Sequence, residues 1–218
     1  MKNNWRLRTR NLSPQVIQDM KDEFKRAASG TYTLVVDFEG TCDKGEALPR
    51  NESEIIEIGA ALVRNSDLTV IETFGIFIQP QIHPKLTDFC TELTTITQSD
   101  VDHAPRFGQA MRKLSDFLHK YTMNKANTLT WMSWGEYDQN ILKRNATTNK
   151  ASNPLSAFAH MNLKVYEAVL RGDKRQIGCA GAVKHYGLQW VGQHHRGIDD
   201  AVNTANIYCE LVRRYANA

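Results

Sequence analysis

The chain contains no run of about 18 apolar residues, the length a membrane-spanning helix requires, so a helical integral membrane protein is excluded. Its four cysteines, Cys42, Cys90, Cys179 and Cys209, are widely scattered. None has the close spacing of a zinc knuckle or a redox Cys-x-x-Cys pair. Scattered thiols without a framework suit a reducing compartment. No apolar segment follows the charges near the N-terminus, so no secretory signal reads there. The expectation is a soluble cytoplasmic protein with no membrane partner. Internal repeats and low-complexity blocks are also lacking, and no sign of charge dominates: the formal net charge is +3. That balance permits a polyanionic partner without arguing for one. The charge is nevertheless uneven, because Lys2, Arg6, Arg8 and Arg10 stand in the first ten residues with no acid. A basic arm can touch phosphates, although a solvated terminus is the plainer reading.

What is present points to an enzyme-sized globular domain. A length of 218 residues buries one good core and is short for two. Hydrophobic residues at 41% and charged residues at 23% are ordinary for such a domain. The most informative stretch is Val35-Val36-Asp37-Phe38-Glu39-Gly40-Thr41. An apolar run from Tyr32 to Val36 ends in two carboxylates separated by one residue. On a strand, Asp37 and Glu39 share a face and Phe38 points away. Two like charges held side by side at the end of a buried strand call for a cation between them. The pair therefore reads as half of a divalent-metal site.

The remaining pattern alternates. Ser13-Pro14 is a helix start, with Ser13 as N-cap. Val16, Ile17, Met20, Phe24 and Ala27 follow at helical spacing, and Ser29-Gly30 ends the helix. Strands are expected over 31–37, 54–63 and 70–78, the last two joined as an antiparallel hairpin by Asn65-Ser66-Asp67. Residues 82–90 read as irregular, and Thr97-Gln98-Ser99-Asp100 as a helix entry. Phe107, Met111, Leu114, Phe117, Leu118 and Tyr121 form an apolar helical stripe. A strand over 129–134 turns at Gly135 into a helix over 137–144. A short strand is expected over 162–165, helices over 178–186 and 199–215, and a polar, turn-rich loop over 149–154. A hairpin followed by such alternation gives an α/β mixed sheet with helices on its faces, and ligands bind at the carboxyl ends of its strands. Asp138 would meet Asp37 if their strands are neighbours.

The second half of the site needs further carboxylates and a proton-transfer group. Trp134-Gly135-Glu136-Tyr137-Asp138 puts an acid in the first turn of a helix after a strand. His194-His195-Arg196-Gly197-Ile198-Asp199-Asp200 puts imidazoles beside acids at the start of the last helix. Helix N-termini favour ionised carboxylates. Asp100 and Asp102 read as caps, Glu136 as solvated, and His83, His103, His119, His160 and His185 as structural or surface groups.

Asp37-Phe38-Glu39, then Asp138, then His195 with four residues before Asp200, resembles the DEDDh 3′→5′ exonuclease superfamily. The finer texture is similar to its Eri-type branch. That texture comprises Asp-Phe-Glu-Gly-Thr-Cys at 37–42, Glu54-Ile55-Ile56-Glu57-Ile58-Gly59, the segment from Phe89 to Gln98, and Ser133-Trp134-Gly135 before Asp138. The resemblance covers about residues 31 to 215. Family spacing selects His195 over His194, and Asp200 over Asp199, whose plainer role is a charge at a helix N-terminus.

The resemblance implies a ribonuclease H-like fold, with a mixed five-stranded sheet and helices on both faces, and two-metal hydrolysis of phosphodiesters. It implies residues 31–218 as the exonuclease domain, with a basic arm and helix, residues 1–30, appended. Asp37 would bridge two Mg²⁺ ions, for which Mn²⁺ can substitute. Glu39 and Asp200 would complete the first ion, Asp138 would act on the second through a water, and His195 would serve as general base. Hard oxygen ligands agree with Mg²⁺ or Mn²⁺ over zinc, and an imidazole titrating near neutrality suits the base. Phe89, Leu93 and Thr94 lie where the family wedges the terminal nucleotide. Trp134 and Tyr137 are placed to stack on a base, with ordinary core packing the alternative for Trp134, and the backbone N–H of Phe38 or Gly40 to meet a 3′ hydroxyl. The expected partner is a nucleic acid with a free 3′ end, RNA ahead of DNA, releasing nucleoside 5′-monophosphates. The competing readings are a non-catalytic nucleic-acid-binding module and a small-molecule phosphatase.

Overall fold

The computed structural model of the protein describes residues 12–45 and 48–216, so the basic arm lies outside the described residues. The chain enters through α1 (Pro14–Ala28). The Ser13 side chain accepts the Val16 N–H at 3.3 Å, and Lys25 and Arg26 sit in the last turn, where positive charge complements the helix dipole. Among the described residues five strands follow: β1 (Tyr32–Gly40), β2 (Ile55–Arg64), β3 (Thr69–Phe77), β4 (Leu129–Ser133) and β5 (Ala159–Asn162). They form one sheet in the order β3-β2-β1-β4-β5. The pairs β1–β2 and β2–β3 are antiparallel, whereas β1–β4 and β4–β5 are parallel. The expected mixed five-stranded sheet and its hairpin are both present.

Alternation along β1 divides the core. Leu34, Val36 and Phe38 join one cluster with Phe107, Leu114 and Phe117 of α4 (Phe107–Thr122) and Ile141 and Leu142 of α5 (Tyr137–Thr148). Val35 faces the opposite cluster. There it meets Leu163 of α6 (Leu163–Leu170), Val183 of α7 (Cys179–His185) and Ala201, Ala205 and Tyr208 of α8 (Gly197–Leu211). Helices therefore cover both faces, and β1 is buried between them. Phe24 of α1 belongs to the second cluster, edge-on to Tyr208 with ring centroids 6.0 Å apart.

Three local expectations are corrected. Residues 82–90 are not wholly irregular, because α2 (Asp88–Thr94) starts inside them, capped by Thr87, whose hydroxyl accepts the Cys90 N–H at 3.0 Å. Two turns are too short for an apolar stripe to reveal a helix. The short strand lies at 159–162 instead of 162–165, and Leu163 already begins a helix. β1 runs on to Gly40, three residues past its expected end, because its pairing with β2 continues through Glu39 opposite Glu57. The helix entry at Thr97 is real: α3 (Gln98–Asp102) follows, and Asp100 accepts the Thr97 N–H at 2.8 Å. Asp102 instead ends that helix and accepts from Gln98.

Candidate active site

Three elements deliver the acids to one place. β1 carries Asp37 and Glu39 on the face that α8 covers, the same face as Thr33, whose hydroxyl meets Tyr208 of α8 at 3.0 Å. β4 lies beside β1, and the turn after it opens α5, whose first turn holds Asp138. Asp138 Oδ1 accepts the backbone N–H of Phe38 at 2.9 Å, which ties α5 to the end of β1. That bond engages the donor that the sequence offered to a 3′ hydroxyl. The first turn of α8 holds Asp200, whose Oδ2 accepts the His195 N–H at 2.8 Å. His195 itself sits at φ +64°, a left-handed conformation uncommon for a non-glycine residue. The backbone spends this strain to turn the loop back onto Asp200.

Oxygens of Asp37, Glu39 and Asp200 all lie within 4.8 Å of one another. Asp200 Oδ1 is buried without a hydrogen-bond partner. Such an orphaned acceptor is costly unless something positive meets it. Burial raises the pKa of every member of the group. Asp37 is held well above the usual carboxylate range by burial first, then by repulsion from Asp138, Glu39, Asp200 and Glu57. Glu39 is pushed up to about 8 by burial and by Asp200 and Glu57. Asp138 and Asp200 each rise to about 6 through burial, partly offset by the N–H groups of Phe38 and His195. A cluster of acids that resists ionising, with one buried oxygen left bare, fits a hard divalent cation with oxygen ligands. The set Asp37, Glu39 and Asp200 would hold it.

The acids open into a cleft of about 310 Å³, lined also by Phe38, Trp134, Tyr137, Cys179, His194 and His195. The His195 pKa is lowered by burial and by the neighbouring His194, so its ring is neutral at physiological pH and retains a lone pair. His194 is exposed, and its ring lies 4.0 Å from that of His195 and 4.9 Å from Trp190. Trp134 is anchored by its indole N–H to the Ile177 carbonyl at 3.2 Å, while Tyr137 is exposed at the rim. Asp199 does not enter the cluster. Its Oδ2 accepts the Gln193 N–H at 2.7 Å and holds the loop before the histidines.

The remaining sequence candidates sit beside the cleft rather than in its wall. Phe89 and Leu93 present half-buried and exposed side chains on α2. Thr94 is buried, its hydroxyl donating to the Cys90 carbonyl at 2.8 Å. At Gly40, a Cβ would collide with the Tyr137 hydroxyl and Ser53 Oγ, so the missing side chain makes room for those two groups. His160 is structural as expected, bonded to Ser133 and packed on Trp131.

Sequence reasoning missed the group that seats α8. Glu57 is buried opposite Glu39, where like charges are unfavourable. Its carboxylate accepts from the Arg196 guanidinium at 3.1 Å and from the Gly197 N–H at 2.9 Å. Arg196 also lies over the Phe77 ring, 5.2 Å from its centroid. The available signal was a charge inside the otherwise apolar strand 55–63. Cys179, unassigned from sequence, completes the cleft wall, its thiol pushed up to about 12 by burial.

The Exonuclease family model matches residues 34–208. The human ERI1 exoribonuclease 3 is 32% identical over 185 residues, covering 84% of this chain and 54% of that protein. This chain thus spans about half the length of those relatives. The probable 3′-5′ exonuclease KapD of Bacillus subtilis is 32% identical over 176 residues, covering 80% of this chain and 82% of that one. Among solved structures, the nuclease domain of 3′hExo, a DEDDh family member bound to rAMP, superimposes with a TM-score of 0.80 at 26% identity. That match covers 85% of this chain and 94% of that domain. The chain, with its acidic cluster on a mixed five-stranded sheet, therefore belongs to the exonuclease family, in its DEDDh branch.

Proposed function

We propose that this chain is a Mg²⁺-dependent 3′→5′ exonuclease that removes nucleoside 5′-monophosphates from the 3′ end of RNA. The observation that carries the reading is the convergence of Asp37, Glu39 and Asp200 within 4.8 Å, with His195 bonded to Asp200 at the same cleft. When bound, two hard divalent ions supply charge neutralisation at the scissile phosphate and acidify the attacking water. Asp37, Glu39 and Asp200 would hold them, with Asp138 acting through a water. Mn²⁺ would substitute for Mg²⁺.

The chain's own groups do the rest. The neutral imidazole of His195 accepts a proton from the attacking water at its free ring nitrogen. Asp200, by taking the His195 N–H, keeps that ring at the cleft. Trp134, half-buried and anchored, and Tyr137, exposed at the rim, offer aromatic faces to unpaired bases, each stacking contact worth about 1–3 kcal/mol. Phe89 and Leu93 on α2 would offer the side on which the terminal sugar and base rest, with the buried Thr94 and the backbone near Phe38 and Gly40 supporting it from behind. The RNA preference rests on the relatives. One solved neighbour holds rAMP, and another is described as recognising the 3′ end of a histone mRNA stem-loop. We read residues 31–218 as the catalytic unit, residues 1–30 as an arm and helix attached to it, and the cytoplasm as its compartment, where scattered thiols stay reduced. Among the described residues, no helix is long and apolar enough to cross a membrane.

The test is a 5′-labelled single-stranded RNA, with a DNA of the same sequence in parallel, incubated with Mg²⁺ or with EDTA. A ladder shortening from the 3′ end in Mg²⁺ alone, faster on RNA, is expected. A mobility shift without shortening would make the chain a binding module and overturn the assignment.

A further inference from the structure

Two thiols that hydrolysis does not use stand at the far end of β1. Cys42 follows Gly40 and Thr41 and is half-buried, while Cys90 lies fully buried inside α2. Cys42 packs against the same apolar cluster that contains Cys90. The Thr87 hydroxyl joins their backbones, donating to the Cys42 carbonyl at 2.6 Å and accepting the Cys90 N–H at 3.0 Å. Cys90 Sγ also reaches the Gly40 carbonyl at 3.8 Å. Ile56, Ile96 and Val101 wall the pair on the core side, with Phe77 and Leu86 packed against them. A disulfide forms without strain only where the backbone already brings two sulfurs together. Thr87 holds the two cysteine backbones side by side over a shared apolar cluster, and the half-buried Cys42 gives an oxidant a way in.

The position of the pair gives the bond a consequence. Cys42 is on the segment that leaves Glu39 and Gly40, and Cys90 is on the helix that carries Phe89 and Leu93. We propose that Cys42 and Cys90 are a modification site, joined by oxidation into a disulfide that fixes α2 to the end of β1 and lowers turnover. Two S–H bonds break and one S–S bond forms, and two protons and two electrons pass to an oxidant of the peroxide or azo class. With diamide as probe, its N=N bond is reduced to the hydrazine. A dithiol reverses the change. The S–S bond, about 2.05 Å, is shorter than any contact between separate thiols. Closing it ties α2 covalently to the segment that leaves Glu39 and Gly40.

The experiment treats the whole chain with diamide, blocks remaining thiols, and maps peptides by mass spectrometry without reduction. Expected is a linked peptide pair containing Cys42 and Cys90, two hydrogens lighter than its reduced parts. Turnover should fall by on the order of tenfold or more, the scale of a sub-ångström misplacement in an active site, and dithiothreitol should restore it. Cys42→Ser should keep the reduced rate and lose none of it to diamide. Absence of the linked pair overturns the proposal, as does a linked pair with unchanged rate. An equal loss in Cys42→Ser also overturns it and moves the effect to Cys179 in the cleft. The peptide readout stands apart from the nuclease assignment, so the two can fail separately.

Discussion

Asp37, Glu39, Asp138 and Asp200 repel one another in the folded chain, and burial makes each harder to ionise. Carboxylates in an unfolded chain titrate near pH 4, so above that pH the native state keeps protons that the unfolded state has released. Stability of the metal-free protein is then fully present below pH ~4 and falls as pH rises, through the Asp138 and Asp200 values near 6 to that of Glu39 near 8. Thermal unfolding in EDTA should show Tm declining across this window, and saturating Mg²⁺ should remove the decline. Asp37→Ala should lessen the slope in EDTA and abolish turnover; a flat profile in the wild type contradicts the repulsion. His195→Ala should lower kcat by roughly 10²–10⁴ while substrate binding is kept. An unchanged kcat moves the base to His194. At this scale the sequence was readable wherever chemistry was abrupt. An apolar run stopped by Asp37 and Glu39 announces itself. Glu57 did not, because its meaning depends on Arg196 and Gly197, which only the fold brings to it.

Elements position these residues through close approaches that side chains would block. α8 touches β2 where Gly197 meets Gly59, directly opposite Asp37, and a Cβ on Gly59 would fall inside the Gly197 backbone. Gly59→Ala should therefore push α8 and Asp200 away from Asp37, with an overpacking cost of about 1–3 kcal/mol. The apparent affinity for Mn²⁺ reads the first effect and urea unfolding the second. A variant with wild-type stability and Mn²⁺ affinity contradicts the seating of α8. Long amphipathic elements such as α4 were legible from their stripe of Phe107, Met111, Leu114 and Phe117. α2 was not, since its seven residues bury only Cys90 and Thr94 and its start is written in one capping bond from Thr87. β1 outran its apolar run because ladder pairing with β2, not hydrophobicity, carries the last residues.

Across the whole molecule, the sheet works as a partition with β1 at its centre. Both faces of that strand are packed, so the acids at its end inherit a rigid frame from two cores at once. α1 contributes to one of them: Phe24 is fully buried against Tyr208, whose hydroxyl in turn meets Thr33 of β1. Phe24→Ala should destabilise the protein by about 3–5 kcal/mol, measured by denaturant unfolding; a loss under about 0.5 kcal/mol, the range of exposed positions, would make α1 dispensable to the core. Strand alternation and helix periodicity made the architecture readable. The parallel neighbour β4, which brings Asp138 to Asp37, was legible only as a condition, because pairing partners are a property of the assembled sheet. The active site works only if its acids close around cations. Crystals grown with saturating Mn²⁺ and measured for anomalous scattering test it most directly. A manganese peak bounded by Asp37, Glu39 and Asp200 is the predicted result, and a clean map with no ion among those three carboxylates contradicts it.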